Sequence, residues 1–497
     1  MKKYKLAFFI FSLALLFFAF FRLVNLNSIP VFVDEAIYVR WSQVMRAEAT
    51  LRFLPLSDGK QPLAMWATIP FLKLVSDPLI AGRLVSVIAG LGTLVGLSLL
   101  THLLFGSLTI AALSALIYSI LPFTMFFDRM ALADSLLGMF GVWSFALSIL
   151  FARTRRLDHA MFLGFVIGGG LITKSPAIFF YVWLGLCLLF TQKLTDFKKN
   201  YKSLMLGLLA VILISQGVYS ILRLGPGFGM IGSRNQDYVF GFGEILTHPL
   251  NPFVGNFKST LNWLWLLFTP PVAVSIFISF FYHKHRRLAA LLFVCALLPL
   301  LAQASIAKVY TSRYILFAVD LLIPLCALGV YWLTERKGKL IKLLSPLVLA
   351  VPIFISFIYL LSPLSAPMSF DMRNGYLEEW TAGWGQKEIA EYLIQLEDQG
   401  NKIVVFTEGY FGTLPDGLQI YTEGHKNIIV VGSPPQVTRL PDGLVNTDKS
   451  NLRFLVINKS RNFLPQPDLD KLTLITEYPK SPRQDGTREY LQFWQLK

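Results

Sequence analysis

The chain has 497 residues, 54% hydrophobic and 15% charged, with a mean hydropathy of +0.56. Soluble domains carry about 25% charged residues, so this composition excludes a water-soluble globular enzyme and marks an integral membrane protein. The net charge of +15 does not indicate nucleic acid as a partner, because most basic residues sit in short clusters between apolar runs.

Lys2, Lys3 and Lys5 precede an apolar run from Leu6 to Phe21. No small-x-small cleavage site follows before Arg22 and Leu23, so an uncleaved first span is expected rather than a signal peptide. Next comes Val33-Asp34-Glu35-Ala36-Ile37-Tyr38, and further on Asp58-Gly59-Lys60-Gln61-Pro62-Leu63. The segment between them is too polar to cross a bilayer. Asp34 and Glu35 read either as a negative start to a helix over 36–46 or as a site that handles a proton, with Lys60 holding an anion. Pro62 to Val75 is too short to cross and is expected at the interface.

Apolar runs predict spans at 6–24, 79–104, 107–127, 131–151, 159–173, 176–192, 203–222, 262–282, 288–307, 314–333 and 341–361, about eleven in all. The fifth and sixth are short, which leaves open a pair of shallow helices. Cys187, Cys295 and Cys326 all lie within apolar runs, so neither a disulfide framework nor a thiolate metal site is indicated. Five basic clusters fall on one side: Lys2, Lys3 and Lys5; Arg153, Arg155 and Arg156; Lys193, Lys198, Lys199 and Lys202; Lys284, Arg286 and Arg287; Arg336, Lys337, Lys339 and Lys342. The positive-inside rule makes that side cytoplasmic. The expectation is a multi-pass plasma-membrane protein with a cytoplasmic N-terminus. Its loops at 25–78, 128–130, 174–175, 223–261 and 308–313 then face outward. The loop 223–261, with Gly225-Pro-Gly-Phe-Gly229 and Arg234 to Tyr238, reads as a mobile lid or as an ordinary connection.

After about residue 362 the chain becomes charged and has no spanning run. Gln386 to Gln399 carries helical periodicity with Ile389, Leu393 and Leu396 on one face, and Gly400-Asn401 ends it. Runs at 402–406, 427–431 and 452–457 predict strands, two of them apolar enough for burial on both faces. The predicted fold is therefore a polytopic α-helical membrane domain over 1–361 and a small extracytoplasmic α/β domain over 362–497.

The outward ionisable residues near span ends are few, and charge there is costly, so they are the candidate site. Asp128 and Arg129 also fit a local ion pair, and Asp134 a first-turn acid. Lys174 and Arg313 also fit anchors at the headgroups. In order along the chain, however, these residues resemble a known family. Asp34-Glu35, Gly59-Lys60-Gln61-Pro62-Leu63 and Gly82-Arg83-Leu84-Val85-Ser86 are similar to the opening of the protein O-mannosyltransferase superfamily, whose bacterial branch includes the aminoarabinose transferases. Arg129-Met-Ala-Leu-Ala-Asp134 resembles its Arg-x-Ala-x-x-Asp stretch, Leu171-Ile-Thr-Lys174-Ser-Pro176 its Leu-Thr-Lys-Gly-Pro, and Ser312-Arg313-Tyr314 its late Arg-Tyr. The likeness runs from about residue 6 to 335; each motif is weak, and their order carries it.

The resemblance implies a GT-C fold and a glycosyltransferase of the cell envelope. Such an enzyme moves a hexosyl or pentosyl group from a polyprenyl-phosphate-linked sugar, held in membrane lipid, to an extracytoplasmic protein, lipid or glycan. It implies Asp34 as general base, with Glu35 orienting it and Asp134 binding hydroxyls. Lys60, Lys174, Arg313 and Tyr314 would hold the donor phosphate, and Tyr38, Arg83, Asp128 and Arg129 would contact substrate. No cofactor is named by these residues, and a divalent cation is left open. The sequence departs from the aminoarabinose transferases at Gly59, where they carry an acid, and at Gln61, where they carry proline. A transporter or flippase of a lipid-linked sugar is the alternative. It fits less well, because transporters bind near the midplane and commonly show internal repeats. A scaffold displaying the outer domain would leave the ordered motifs unexplained. The outer domain is expected to select the acceptor.

Overall fold

The computed structural model describes the backbone of residues 2–191, 194–336 and 339–497 and the side chains of 4–191, 200–336 and 346–497. The side chains of Lys2, Lys3, Lys193, Lys198, Lys199, Lys337, Lys339 and Lys342, from the expected basic clusters, lie outside the described residues. The chain is a mostly helical multi-pass membrane protein with a small C-terminal sheet. Its residues group into two compact units. A helical unit comprises Met1–Leu26, Thr50–Trp66 and Arg83–Ser369, and a second unit comprises Asn27–Ala49, Ala67–Gly82 and Phe370–Lys497.

In chain order the first helices are α1 (Lys2–Leu23), α2 (Val33–Ala47), α3 (Leu63–Leu74) and α4 (Pro78–Phe105). There follow α5 (Leu108–Ile120), α6 (Pro122–Asp128), α7 (Ala133–Thr154), α8 (Leu157–Leu171), α9 (Phe179–Thr191), α10 (Leu194–Ser220) and α11 (Met230–Tyr238). Among the described residues six helices are long and apolar enough to cross a membrane, or eight if each of two bent pairs counts as one span.

Both bends have a local cause. The run 107–127 folds as α5 and α6, bent by 62°. Leu121 precedes Pro122, whose ring disfavours helical backbone before it, and Leu121 is accordingly extended (φ −74°, ψ 126°). The run 262–282 breaks at Thr269 (φ 65°) before Pro270, where Phe253–Phe268 and Pro270–Ser279 meet at 103°. The runs 159–173 and 176–192 fold as α8 and α9, of 15 and 13 residues. Both are short of the roughly 20 residues a crossing needs. The final run folds as one helix over Lys339–Leu361, of 23 residues, with its side chains described from Pro346 on. Gly164 and Gly168 let α8 approach α10 closely. A methyl group there would lie 2.9 Å from the Ile214 Cβ and 2.7 Å from the Val218 Cβ, the small-residue packing of membrane helices.

The second unit holds a five-stranded sheet: β1 (Ile403–Glu408), β2 (Ile428–Ser433), β3 (Leu452–Asn458), β4 (Leu472–Pro479) and β5 (Tyr490–Leu496), in the order β2-β1-β3-β5-β4. The three predicted strands are β1 to β3, paired in parallel with Ile403 level with Ile428 and Leu452. β1 and β3 are interior and buried, whereas β2 is an edge with Ile429 exposed. β4 and β5, not foreseen, are antiparallel and alternate apolar with polar residues. Helix Gln386–Asp398 buries Ile389 and Leu393 against β1 and β3.

α2 belongs to this unit. The Val33 amide donates to Thr381 O and the Gly383 amide to Val31 O, so the chain just before the acid pair forms a short bridge with 381–383. Further along α2, Arg40 donates to Gln419 Oε1 and Gln43 Nε2 to Ile420 O.

Candidate functional site

All the residues expected to hold a phosphate lie in the helical unit. Lys60 follows a 3-10 turn over Leu54–Asp58 that Gly59 closes at φ +66°, a conformation glycine adopts without steric cost. Lys60 Nζ lies 3.5 Å from Asp58 Oδ2, and Arg234 Nε on α11 lies 3.7 Å from Asp58 Oδ1. A Cβ on Gly59 would come 2.4 Å from the Arg234 Cβ, so the missing side chain is what lets α11 pack here. Burial alone would lower the Arg234 pKa, but the neighbouring Tyr238, Asp58 and Asp237 raise it above its ordinary value.

The Lys60 and Lys174 loops are joined. Gln61 Nε2 donates to Ser175 Oγ at 2.9 Å, the Leu63 amide to Ile172 O, and Ser175 Oγ to Asn235 Oδ1 of α11. Lys174 Nζ donates to Asp134 Oδ1 at 2.6 Å and sits 4.2 Å from the centre of the Tyr314 ring. The Arg313 guanidinium lies 5.2 Å from the same ring. Asp134 is buried in the first turn of α7, where the helix end favours an anion. Asp134, Lys174, Arg313 and Tyr314 thus form one contact group. Its half-buried cations suit a phosphate: lysine as a point charge, arginine as a fork of donors.

Arg83, Asp128 and Arg129 gather instead at the C-terminal end of α1, whose last carbonyls have no partner within the helix. Arg129 donates to Phe21 O at 2.8 Å, Val24 O at 2.7 Å and Asn25 O, and Arg83 to Leu26 O at 2.7 Å. Asp128 accepts from Arg22 Nε at 2.9 Å and from the Tyr118 hydroxyl at 2.8 Å. Arg22, fully buried, also donates to Ser119 O and Tyr118 O. Sequence reasoning took Arg22 only as the continuation of an apolar run. A lone arginine at the end of an apolar span was the available signal for a buried partner.

Asp34, Glu35 and Tyr38 lie on α2 in the second unit. Asp34 is half-buried in the first turn. Glu35 is fully buried and its Oε2 accepts the Phe32 amide at 3.0 Å, the carboxylate half of a capping box. Tyr38 stacks with Trp41, ring centres 6.4 Å apart. Among the described residues no three or more His, Cys, Asp and Glu side chains come together as a metal-ligand group.

The helical unit thus carries the Asp134, Lys174, Arg313 and Tyr314 group, and the second unit carries the five-stranded sheet. Residues 59–219 match the profile of the dolichyl-phosphate-mannose-protein mannosyltransferase family. Among solved structures, the chain is similar to ArnT from Cupriavidus metallidurans in the apo state. That match has 12% identity, covers 98% of this chain and 97% of that one, and has a TM-score of 0.60. The same protein bound to undecaprenyl phosphate matches at 13% identity, 98% and 97% coverage and a TM-score of 0.55. The oligosaccharyltransferase AglB from Archaeoglobus fulgidus, in complex with an inhibitory peptide and a dolichol-phosphate, matches at 10% identity. It covers 97% of this chain and 74% of that one, with a TM-score of 0.52. No curated protein matches the sequence. The family match and the shared fold together support the GT-C glycosyltransferase superfamily.

Proposed function

We propose that the protein transfers a monosaccharide from a polyprenyl-phosphate donor to an acceptor on the extracytoplasmic side of the membrane. The observation that carries this reading is the grouping of Lys174, Asp134, Arg313 and Tyr314, tied through Ser175 and Gln61 to the Lys60 loop. Support comes from the fold it shares with a protein seen bound to undecaprenyl phosphate.

The donor keeps its chain in lipid and its phosphate at the interface, so cations must be held at that depth. Lys60, Lys174 and Arg313 bind the phosphate, and Asp134 fixes the Lys174 ammonium. The acceptor oxygen or nitrogen attacks the anomeric carbon while the bond from that carbon to the phosphate oxygen breaks. The electron pair leaves on the polyprenyl phosphate, and the cations stabilise the charge that grows there. Asp34 takes the acceptor's proton. Its role rests on its place in the motif order, and it is preferred over Glu35 because the Glu35 carboxylate is turned onto the Phe32 amide. Arg83, Asp128 and Arg129 are given no substrate contact, since the bonds described engage them at the end of α1. The acceptor side faces away from the cytoplasm by the distribution of basic loops.

The test is transfer of radiolabelled sugar from polyprenyl-phosphate donors in membranes carrying wild type or Asp34→Asn. Wild-type transfer that the variant loses at equal expression and donor binding is the expected result. Equal transfer removes Asp34 from the chemistry. Lipid movement across the bilayer with no product would replace the transferase by a transporter.

A further inference from the structure

The second unit contains a cleft of about 690 Å³ that the proposed reaction does not use, within the size range of small-molecule sites. It lies at the far end of α2 from the acid pair. Twelve residues, about 18 Å of helix, separate Arg46 from Asp34. Its walls are the end of α2, the α3–α4 connection, helix Gln386–Asp398 and the chain from Ile420 to His425.

Ion pairs tie the walls of the cleft to one another. Arg46 donates to Glu423 Oε2 at 2.8 Å and to Leu72 O at 2.9 Å. Lys387 Nζ donates to Asp77 Oδ2 at 2.7 Å, and Asp77 also accepts from the Asn27 side chain and the Leu79 and Ile80 amides. On the rim, Lys73 and Glu391 are exposed.

The chemistry of the lining limits the occupant. Three cations (Arg46, Lys73, Lys387) balance three carboxylates (Asp77, Glu391, Glu423), so the cleft offers no net charge to a phosphate, a uronate or a divalent cation. Each ion pair sets donors beside acceptors. A vicinal diol, whose hydroxyls both donate and accept, can bridge such a pair without leaving either group unmatched. Ile394 and the Tyr421 ring, both half-buried, add apolar surface for the C–H face of a sugar ring. We propose that this cleft binds a neutral oligosaccharide, the portion of a glycan acceptor distant from the atom that receives the new sugar. The choice of a glycan rests on the glycosyltransferase reading. The test measures binding and not transfer, so either can fail alone.

Full-length protein in phosphatidylcholine nanodiscs is titrated with maltotetraose, mannotetraose and chitotetraose and followed by saturation-transfer-difference NMR. At least one probe is expected to show saturation transfer. The double variant Lys73→Ala/Glu391→Ala should weaken its binding about 10-fold or more, a loss of about 1.4 kcal/mol. Neither residue joins the wall ion pairs, so the variant should fold. Lys387→Ala, which opens one wall, should weaken it too. Saturation by none of the probes overturns the proposal, as does binding that both variants leave unchanged. Phosphatidylethanolamine added to the nanodiscs is the control for a lipid, because Leu74 at the lip is 78% exposed. If only that lipid co-purifies with wild type and is lost from the variants, the cleft is a headgroup site and not a glycan site.

Discussion

Lys174 donates to Asp134 at 2.6 Å while its ammonium faces the Tyr314 ring, so one carboxylate and one aromatic face fix the position of the cation. Lys174→Met removes the charge from this group and leaves the buried Asp134 carboxylate without that ion pair. Transfer is expected to fall about 10²–10³-fold, the scale of losing one preorganised charge-stabilising group. Asp134→Asn should cost less, since the lysine stays and only its anchoring weakens. The double variant should be no worse than Lys174→Met alone. Rates for the four proteins in one membrane assay decide this, and additive losses would mean that the two residues act separately.

Arg22 and Asp128 form a buried ion pair at the end of α1, both at most 1% exposed. Removing one member of such a pair strands the other charge, at about 3–5 kcal/mol. Arg22→Met is expected to lower the midpoint of thermal unfolding in detergent sharply. Arg22→Met/Asp128→Leu should recover much of the loss, because no charge is then left unpaired. A double variant as unstable as the single one would show that the arginine's backbone bonds, and not the pair, carry the effect.

The membrane class and strands β1 to β3 were legible because each rests on local pattern, whereas the GT-C fold came only through the resemblance of the ordered motifs to a known family. Apolar length marks a span, and the apolar run at 402–406 is the interior strand its pattern predicts, whereas the equally apolar run at 427–431 is the edge strand β2, with Ile429 exposed rather than buried. Asp134, Lys174, Arg313 and Tyr314, which the fold brings into one contact group, were singled out by their order along the chain. Other features depend on partners that sequence separation hides. Nothing local tells Arg22 that Asp128, 106 residues later, will accept its proton donor. Nothing in Arg129 shows that it will satisfy the carbonyls ending α1. Likewise the chain before Asp34 pairs with residues near 382, so the acid motif belongs by contact to the second unit although the sequence places it among the spans. β4 and β5 were missed because their apolar residues alternate with Thr, Glu and Gln, a weaker signal than a continuous run.

Gly59 is tested by giving it a side chain. Gly59→Ala places a Cβ 2.4 Å from the Arg234 Cβ at a backbone conformation that alanine rarely adopts. The left-handed backbone costs about 1–3 kcal/mol in itself, and the clash with Arg234 is relieved only if α11 moves away. Gly59→Glu, which supplies the acid that aminoarabinose transferases carry, should displace α11 further. Limited proteolysis between residues 225 and 240 is expected to speed up in both variants, more in the second, while the rest of the chain stays resistant. Unchanged cleavage would show that α11 does not depend on the missing side chain.

The last prediction concerns pH. Glu408, at the end of β1, accepts the Asn458 amide at 2.8 Å and Asn458 Nδ2 at 2.7 Å, and Lys480 donates to Glu379 O at 3.0 Å; both are nearly inaccessible. Burial pushes the Glu408 carboxyl up to about 7 despite its hydrogen bonds, and burial brings the Lys480 ammonium down to about 7 despite nearby carboxylates. Glu408 ionises near 4.5 in the unfolded chain, so its contribution is present below 4.5 and is lost as pH rises through 7. Lys480 behaves in the opposite sense: its contribution is present above 10.5 and is lost as pH falls through 7. The sheet should therefore be least stable near pH 7 as far as these two groups decide. Glu408→Gln should flatten the limb between 4.5 and 7, and Lys480→Met the limb between 7 and 10.5. Hydrogen exchange of peptides covering β1 and β3 in the full-length protein, corrected for intrinsic rates, reads both limbs. Flat protection in wild type from acid to alkaline pH would mean that water or rearrangement solvates both groups in the folded unit.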